Sequence, residues 1–208
     1  MEAYDFEWGR LRGTVVNGNG LRHAWERFHK AEAARKHMLA SEDFQKLESA
    51  WREFLQAANA VFVKLELAAK SDTRAAPWFG QKTHARKQDD LMCYLHHARN
   101  SDEHSLQDVT TGRPGQVSIA SEGSIQIAWT DGDSVAQVSS LEDKPIKMER
   151  GPPRVELLPV VDRSKTYDVP AKYRGAVLDA PQLAAVAAVA LDEIRAVLDE
   201  AGQFSKTA

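Results

Sequence analysis

The sequence predicts an α+β protein: mainly an α-helical up-and-down bundle, with a small antiparallel β-meander inserted before the last helix. Long stretches place apolar residues at alternating steps of three and four, the period of a helix with one buried face. Between about 116 and 162 that period gives way to two-residue alternation, as in half-buried strands. At 208 residues, 43% hydrophobic and 27% charged, the chain has the size and composition of one soluble domain spanning 1–208. Its bundle is expected over about 21–106 and 179–202.

Residues 1–20 carry Tyr4, Phe6 and Trp8, then the turn-forming Asn17-Gly18-Asn19-Gly20, so a short strand or arm and a loop are expected. Leu21, Trp25, Phe28, Met38 and Leu39 then mark one helical face, with Arg22, Glu26, Arg27 and Lys30 mostly outside it. Ser41 is the expected N-cap of a second helix, with Glu42 and Asp43 in its first turn. Leu47, Trp51, Phe54, Ala58, Val61, Leu65 and Ala68 form an uninterrupted stripe to about Lys70. A stripe of that length demands other helices against it. Residues 72–80, with Pro77 and Gly80, read as a break, and the next helix is entered at Asp89-Asp90 and buries Leu91, Leu95 and Ala98. Residues 110–115 read as a loop. Val117 and Ile119, then Ile125 and Ile127, read as strands joined by a hairpin turn at Glu122-Gly123. Asp131-Gly132-Asp133 is a second expected turn, with further strand candidates at 135–138, 146–148 and 155–158. Asp179-Ala180-Pro181 is expected to start the last helix, with Leu183, Val186, Ala190, Ile194 and Val197 buried and Gly202 at its end.

Bulk properties exclude several classes. A net charge of -3 carries no overall basic signature, so any RNA site has to be a local patch. The single cysteine, Cys93, excludes an intramolecular disulfide framework and fits a reducing compartment. Flanked mid-helix by Met92 and Tyr94, it reads as a small packing residue. The acidic start MEAYDFEWGR lacks the basic region and apolar run of a secretory signal. The run 183–191 is too short to span a bilayer and is followed by Asp192 and Glu193. A cytoplasmic protein without membrane attachment is expected.

The groups able to do chemistry gather where the helix from Asp89 ends. Arg99, Asn100, Asp102, Glu103 and His104 lie close together, with His96 and His97 one turn earlier. On an ideal helix His97, Asn100 and His104 share one line, and His96, Arg99 and Glu103 the neighbouring one. Arg99 and His104 are separated by about 140° around the axis. They are expected to converge only where the helix frays or a second chain supplies the partner. One chemistry open to such a set, among others, is metal-free RNA cleavage, which needs a base for the 2′-hydroxyl proton, an acid for the 5′-oxygen and a cation for the crowded phosphorane. His104 can be base or acid near neutral pH. Arg99 is a permanent cation whose fork fits two phosphate oxygens, and Asn100 can orient the imidazole. His97, Glu103 and Lys87 are the expected substrate-binding residues, with Lys82, Arg86 and Lys87 extending a phosphate track along the same helix.

The run Arg99-Asn100-Ser101-Asp102-Glu103-His104 resembles the signature of the HEPN superfamily (higher eukaryote and prokaryote nucleotide-binding domains). There an Arg is usually followed by Asn, Asp or His, with a His after four to six intervening residues. The resemblance covers the helical part, and the β segment has no counterpart in it. It implies a helical bundle, usually a homodimer, and for many members metal-independent endoribonuclease activity, often as a toxin or a defence effector. It further implies RNA as substrate, Arg99, His104 and Asn100 as catalytic residues, an antitoxin or regulatory protein as a further partner, and no cofactor. Members paired with nucleotidyltransferase antitoxins carry a Tyr two residues beyond the His, whereas this chain has Ser105-Leu106.

Other readings stand beside this one. Arg99 and Glu103 also form an i, i+4 pair of opposite charge, which fits a catalytically silent helical module that binds nucleotide, RNA or a protein partner. A metal site has ligand types in His96, His97, Asp102, Glu103 and His104, but the long helix adds only Glu48, Glu53 and Glu66, without a Glu-x-x-His pattern. Trp78-Phe79-Gly80 reads as an aromatic plug over the bundle or as a platform for a base.

Overall fold

The computed structural model describes residues 16–70, 72–105, 107–113, 117–129, 136–150, 154–173, 176–178 and 183–205. The arm before residue 16, the Asp131-Gly132-Asp133 turn and the Asp179-Ala180-Pro181 helix start lie outside the described residues. Among those described, the apolar stripes become five helices: α1 (Gly18–Ala40), α2 (Phe44–Lys70), α3 (Ala75–Gln88), α4 (Asp90–His104) and α5 (Leu183–Ser205). Short antiparallel strand pairs complete the α+β class that the sequence predicts. None of these helices is long and apolar enough to cross a membrane.

The chain divides into two compact units, 1–112 with 155–208, and 113–154. In the first unit α2 packs against each of the other four helices. Its expected stripe, Leu47 through Ala68, is buried at every position, and Trp51, Phe54, Val61 and Leu65 are closed off completely. Burying a side chain of that size stabilises the fold by about 1.5–3 kcal/mol. The start of α1 comes very close to the end of α2: a Cβ on Gly20 would lie 2.6 Å from Ala68 Cβ. Asn17 caps α1, its Oδ1 accepting from the Asn19 and Gly20 amides at 3.0 and 3.1 Å.

Four local expectations need correction. Asp43 rather than Ser41 caps α2, its Oδ1 accepting from Lys46 N at 2.9 Å, because the helix begins two residues later than the acidic run suggests. Pro77 and Gly80 lie inside α3 rather than in a break; Pro77 is its third residue, where a missing N–H forfeits no intrahelical bond. Gly202 lies within α5 and does not end it. Met38 faces the core, while Leu39 is 63% exposed.

Of the short strands in this unit, the one at Val160–Asp162 packs on α4. Strand β1 (Thr110–Arg113) is hydrogen-bonded to β6 (Arg154–Leu157), while β7 (Val160–Asp162) and β8 (Lys165–Tyr167) form a tight antiparallel hairpin. Its two turn residues, Arg163 and Ser164, have φ of 50 and 63°, as a type I′ turn requires. Val160, Asp162, Lys165 and Tyr167 therefore share one face of the hairpin. Val160 is fully buried, and β7 packs on α4. A third short pair joins β9 (Lys172–Tyr173) to β10 (Ala176–Val177).

The second unit holds β2 (Val117–Ser121), β3 (Ile125–Trp129), β4 (Ala136–Ser140) and β5 (Ile146–Arg150). The expected hairpin between the first two is not formed. Strand β3 pairs with β4, and β2 pairs with β5 outside it, giving nested two-stranded ladders instead of a meander. Residues 122–124 do not turn the chain back because they are tied across to the other side. Leu141 N donates to Ser124 O at 3.0 Å, and Ser124 Oγ to Glu142 Oε1 at 3.1 Å.

Candidate functional site

Helix α4 is held in place from both ends and from its buried face. Asp89 caps it, Oδ1 accepting from Met92 N at 2.8 Å, and Leu91, Leu95 and Ala98 enter the core as expected. Tyr94, also buried, donates its hydroxyl to Leu158 O at 2.8 Å, which fixes the approach to β7. That anchoring brings Asp162 and Tyr167 of the hairpin against His97 and Asn100 of the helix.

Asp162 is the meeting point. His97 Nδ1 lies 2.7 Å from Asp162 Oδ2, and Asn100 Nδ2 donates to the same oxygen at 3.1 Å. These two bonds, that from His97 first, hold the Asp162 carboxyl below its ordinary pKa. The His97 ring stacks on Tyr167 at 3.6 Å between centroids and 13° between planes, and meets His96 edge-on at 5.1 Å. His97 and Asp162 are largely enclosed, at 19% and 15% side-chain exposure.

A second layer comes from α3. Arg86 lies over the Phe62 ring at 4.2 Å, donates to Asn59 Oδ1 at 3.1 Å and reaches His96 Nδ1 at 3.3 Å. Burial lowers the Arg86 pKa to about 10, which leaves it a cation at neutral pH. Burial first, and then the Arg86 charge, push His96 down to about 4, so its imidazole is neutral.

The predicted motif occupies the last turn of α4. Arg99 Nη2 pairs with Glu103 Oε2, and Arg99 Nη1 donates to Asn100 Oδ1 at 3.3 Å. His104 Nε2 lies 4.0 Å from the same Glu103 oxygen, on a side chain that is 72% exposed. The helix does not fray there, since Ser105 N still donates to Ser101 O at 2.9 Å. Within one chain, among the described residues, Arg99 and His104 are linked only through Glu103, which Arg99 pairs with directly and His104 approaches to 4.0 Å.

Other expected residues are dispersed. Asp102 turns away and pairs with Arg52 of α2 at 3.0 Å. Lys82, Arg86 and Lys87 stand on α3, not on the helix of Arg99, because the chain breaks at Asp89 between them. Lys87 is exposed, Arg86 points inward and Lys82 pairs with Glu200 at 2.5 Å. Trp78 is a buried plug within α3, donating Nε1–H to Glu200 Oε1 at 2.7 Å, and so offers no free face to a base. Among the described residues no group of three or more His, Cys, Asp or Glu side chains is gathered as a metal ion would require.

Asp162 and Tyr167 were not recognisable as site residues from the sequence. Their only local signal is the strand alternation around Arg163-Ser164, and nothing in it connects them to a helix some sixty positions earlier. No family model, curated protein or solved structure matches the chain.

Proposed function

We propose that the chain is a metal-independent endoribonuclease of the HEPN type, in which Arg99 and His104 act on the scissile phosphate and Asn100 assists. One observation carries this reading: a guanidinium and an imidazole converge on one anionic oxygen, that of Glu103, with His104 Nε2 at 4.0 Å. Glu103 stands where a phosphodiester oxygen would be received between a permanent cation and a titratable base. A substrate phosphate takes over that place, Arg99 neutralises the charge gathering on phosphorus, and His104 moves a proton at the edge of the site. Asn100, fastened to Asp162, keeps its Oδ1 against Arg99 and sets the direction of the guanidinium. Lys87, exposed on α3, is available to the RNA backbone, and His97 is joined to Asn100 through Asp162. The exposed imidazole of His104 is open to a second copy, in keeping with the homodimer that the resemblance implies, and a cytoplasmic toxin or defence effector is the setting in which such an activity is expected.

The Arg99–Glu103 pair also favours a second reading, a silent module that binds RNA, nucleotide or protein, because it satisfies the guanidinium without any substrate. Incubating the protein with labelled single-stranded RNA in the presence of a chelator separates the two. Cleavage is expected, reduced at least 100-fold in Arg99→Ala and in His104→Ala while circular dichroism stays unchanged. Undiminished cleavage in both variants overturns the nuclease mechanism, and binding without product selects the silent module.

A further inference from the structure

We infer that His97, oriented by Asp162, is the general base of the same site, with His104 left as the acid. This assignment rests on the ribonuclease reading and answers a need within it. Strand cleavage takes a proton from the 2′-hydroxyl and delivers one to the 5′-oxygen, and a single imidazole cannot hold both protonation states at once. The Arg99–His104 motif supplies one histidine. The structure supplies another, held as a catalytic imidazole is held: Nδ1 is 2.7 Å from a carboxylate oxygen, one ring face is covered by Tyr167, and His96 abuts it edge-on. The ring is thereby fixed in plane and in tautomer, with its proton on Nδ1 facing Asp162. Nε2, the remaining nitrogen, has no hydrogen-bond partner among the described residues. Asn100 joins the dyad to the phosphate-binding group, touching Asp162 at 3.1 Å and Arg99 at 3.3 Å. His97 and His104 are two turns apart, about 10 Å along the axis. A near-attack geometry of about 3 Å, with a hydrogen bond of about 3 Å on each side, fills such a span.

The step balances without a co-reactant. The Nε2 lone pair of neutral His97 takes the 2′-hydroxyl proton, and the 2′-oxygen bonds to phosphorus. The bond from phosphorus to the 5′-oxygen breaks, and that oxygen takes its proton from the His104 imidazolium. The products are a 2′,3′-cyclic phosphate and a 5′-hydroxyl, and solvent returns the proton from His97 to His104. Asp162 is a positioning residue.

The full chain is tested as His97→Gln and Asp162→Asn, with Asp162→Glu as conservative control and thermal unfolding to verify folding. On an ordinary oligoribonucleotide His97→Gln is expected to lose at least 100-fold in kcat. With a 5′-bridging sulfur, whose departure needs no acid, His104→Ala regains activity and His97→Gln does not. Besides Asp162 and Tyr167, His97 has His96 and Asn100 beside it on its own helix and, on the hairpin, Lys165, whose Nζ lies 4.9 Å from the Tyr167 ring, while Arg86 reaches His96. Loss of the carboxylate frees the ring to turn, so Asp162→Asn is expected to lower kcat while leaving KM nearly unchanged, and Asp162→Glu restores kcat. Cleavage by His97→Gln within twofold of wild type, or its rescue by the sulfur substrate, overturns the assignment while Arg99→Ala still tests the reading beneath it. A wild-type protein that cleaves no RNA removes both.

Discussion

His96 is a half-buried imidazole faced by the Arg86 guanidinium, and its pKa is pushed down to about 4 by burial and by that charge. In the unfolded chain it titrates near the ordinary value of about 6.5. Between these two values the unfolded state binds a proton that the folded state refuses, so stability falls as the pH drops through that window. Solvent reaches part of the ring, which limits the loss to about 1 kcal/mol. His96→Gln is expected to flatten the change in urea-unfolding free energy between pH 7 and pH 5; an unaltered slope contradicts the buried neutral state. Asp162 acts in a lower window. Its carboxyl is held down by His97 and Asn100, so its stabilisation is present above the unfolded pKa and is lost as the pH falls through the still lower folded value. Glu103 bears on the proposed function. If the site takes a phosphodiester as proposed, Glu103, the anion already paired with Arg99, competes with it, and Glu103→Gln is then expected to tighten RNA binding by about threefold to tenfold. Fluorescence anisotropy reads this directly, and the gain should vanish when Arg99→Ala is added.

The helices show what local sequence encodes and what it leaves out. Two glycines of similar appearance are expected to respond in opposite directions. Gly80 lies in α3 with nothing within 4 Å of an added Cβ, so Gly80→Ala should stabilise by about 0.5–1 kcal/mol, as helical propensity dictates. Gly20 lets α1 approach α2, and the Cβ added by Gly20→Ala meets Ala68 Cβ at 2.6 Å and its Cα at 3.1 Å, so that variant should destabilise by about 1–3 kcal/mol. Chemical denaturation of the two variants checks both signs. The long stripe of α2 was readable because each of its positions reports burial by its own period, and Leu47 through Ala68 indeed face the core. Pro77 was misleading because its meaning depends on its place in the helix: a break in the middle, but harmless in the first turn where α3 has it. Alternation at 117–127 announced strands but not their partners. A two-stranded ladder pairs residues far apart in sequence, as Val117 with Arg150, and no local pattern specifies that choice. The site divides along the same line. Arg99, Asn100 and His104 are proposed from a run contiguous on one helix, whereas the contacts of Asp162 and Tyr167 with that helix arise through tertiary packing.

The division into two units bears on where any RNA chemistry can reside. Every residue of the candidate site, from Asn59 and Arg86 to Asp162 and Tyr167, belongs to the unit made of 1–112 and 155–208. The ladders of 113–154 bond among themselves, and large apolar side chains there remain in solvent: Ile127 is 47% and Met148 60% exposed. Strands β1 and β6, which lead into and out of that segment, are hydrogen-bonded to each other, so their ends can be joined by a tight turn. Replacing 114–153 with Asn-Gly, the pair that favours a type I′ hairpin, therefore shortens the chain without removing a core residue of the helical unit. The shortened protein is expected to unfold cooperatively and to retain the helical dichroism of the five helices. If the proposed chemistry resides in α4 and the β7–β8 hairpin, it also keeps the chemical step, read as kcat on a short oligoribonucleotide, while KM for long RNA rises where the ladders contribute binding. Loss of cooperative unfolding would show that 113–154 is needed for the fold. Loss of kcat in a folded protein would move part of the catalytic machinery out of the helical unit.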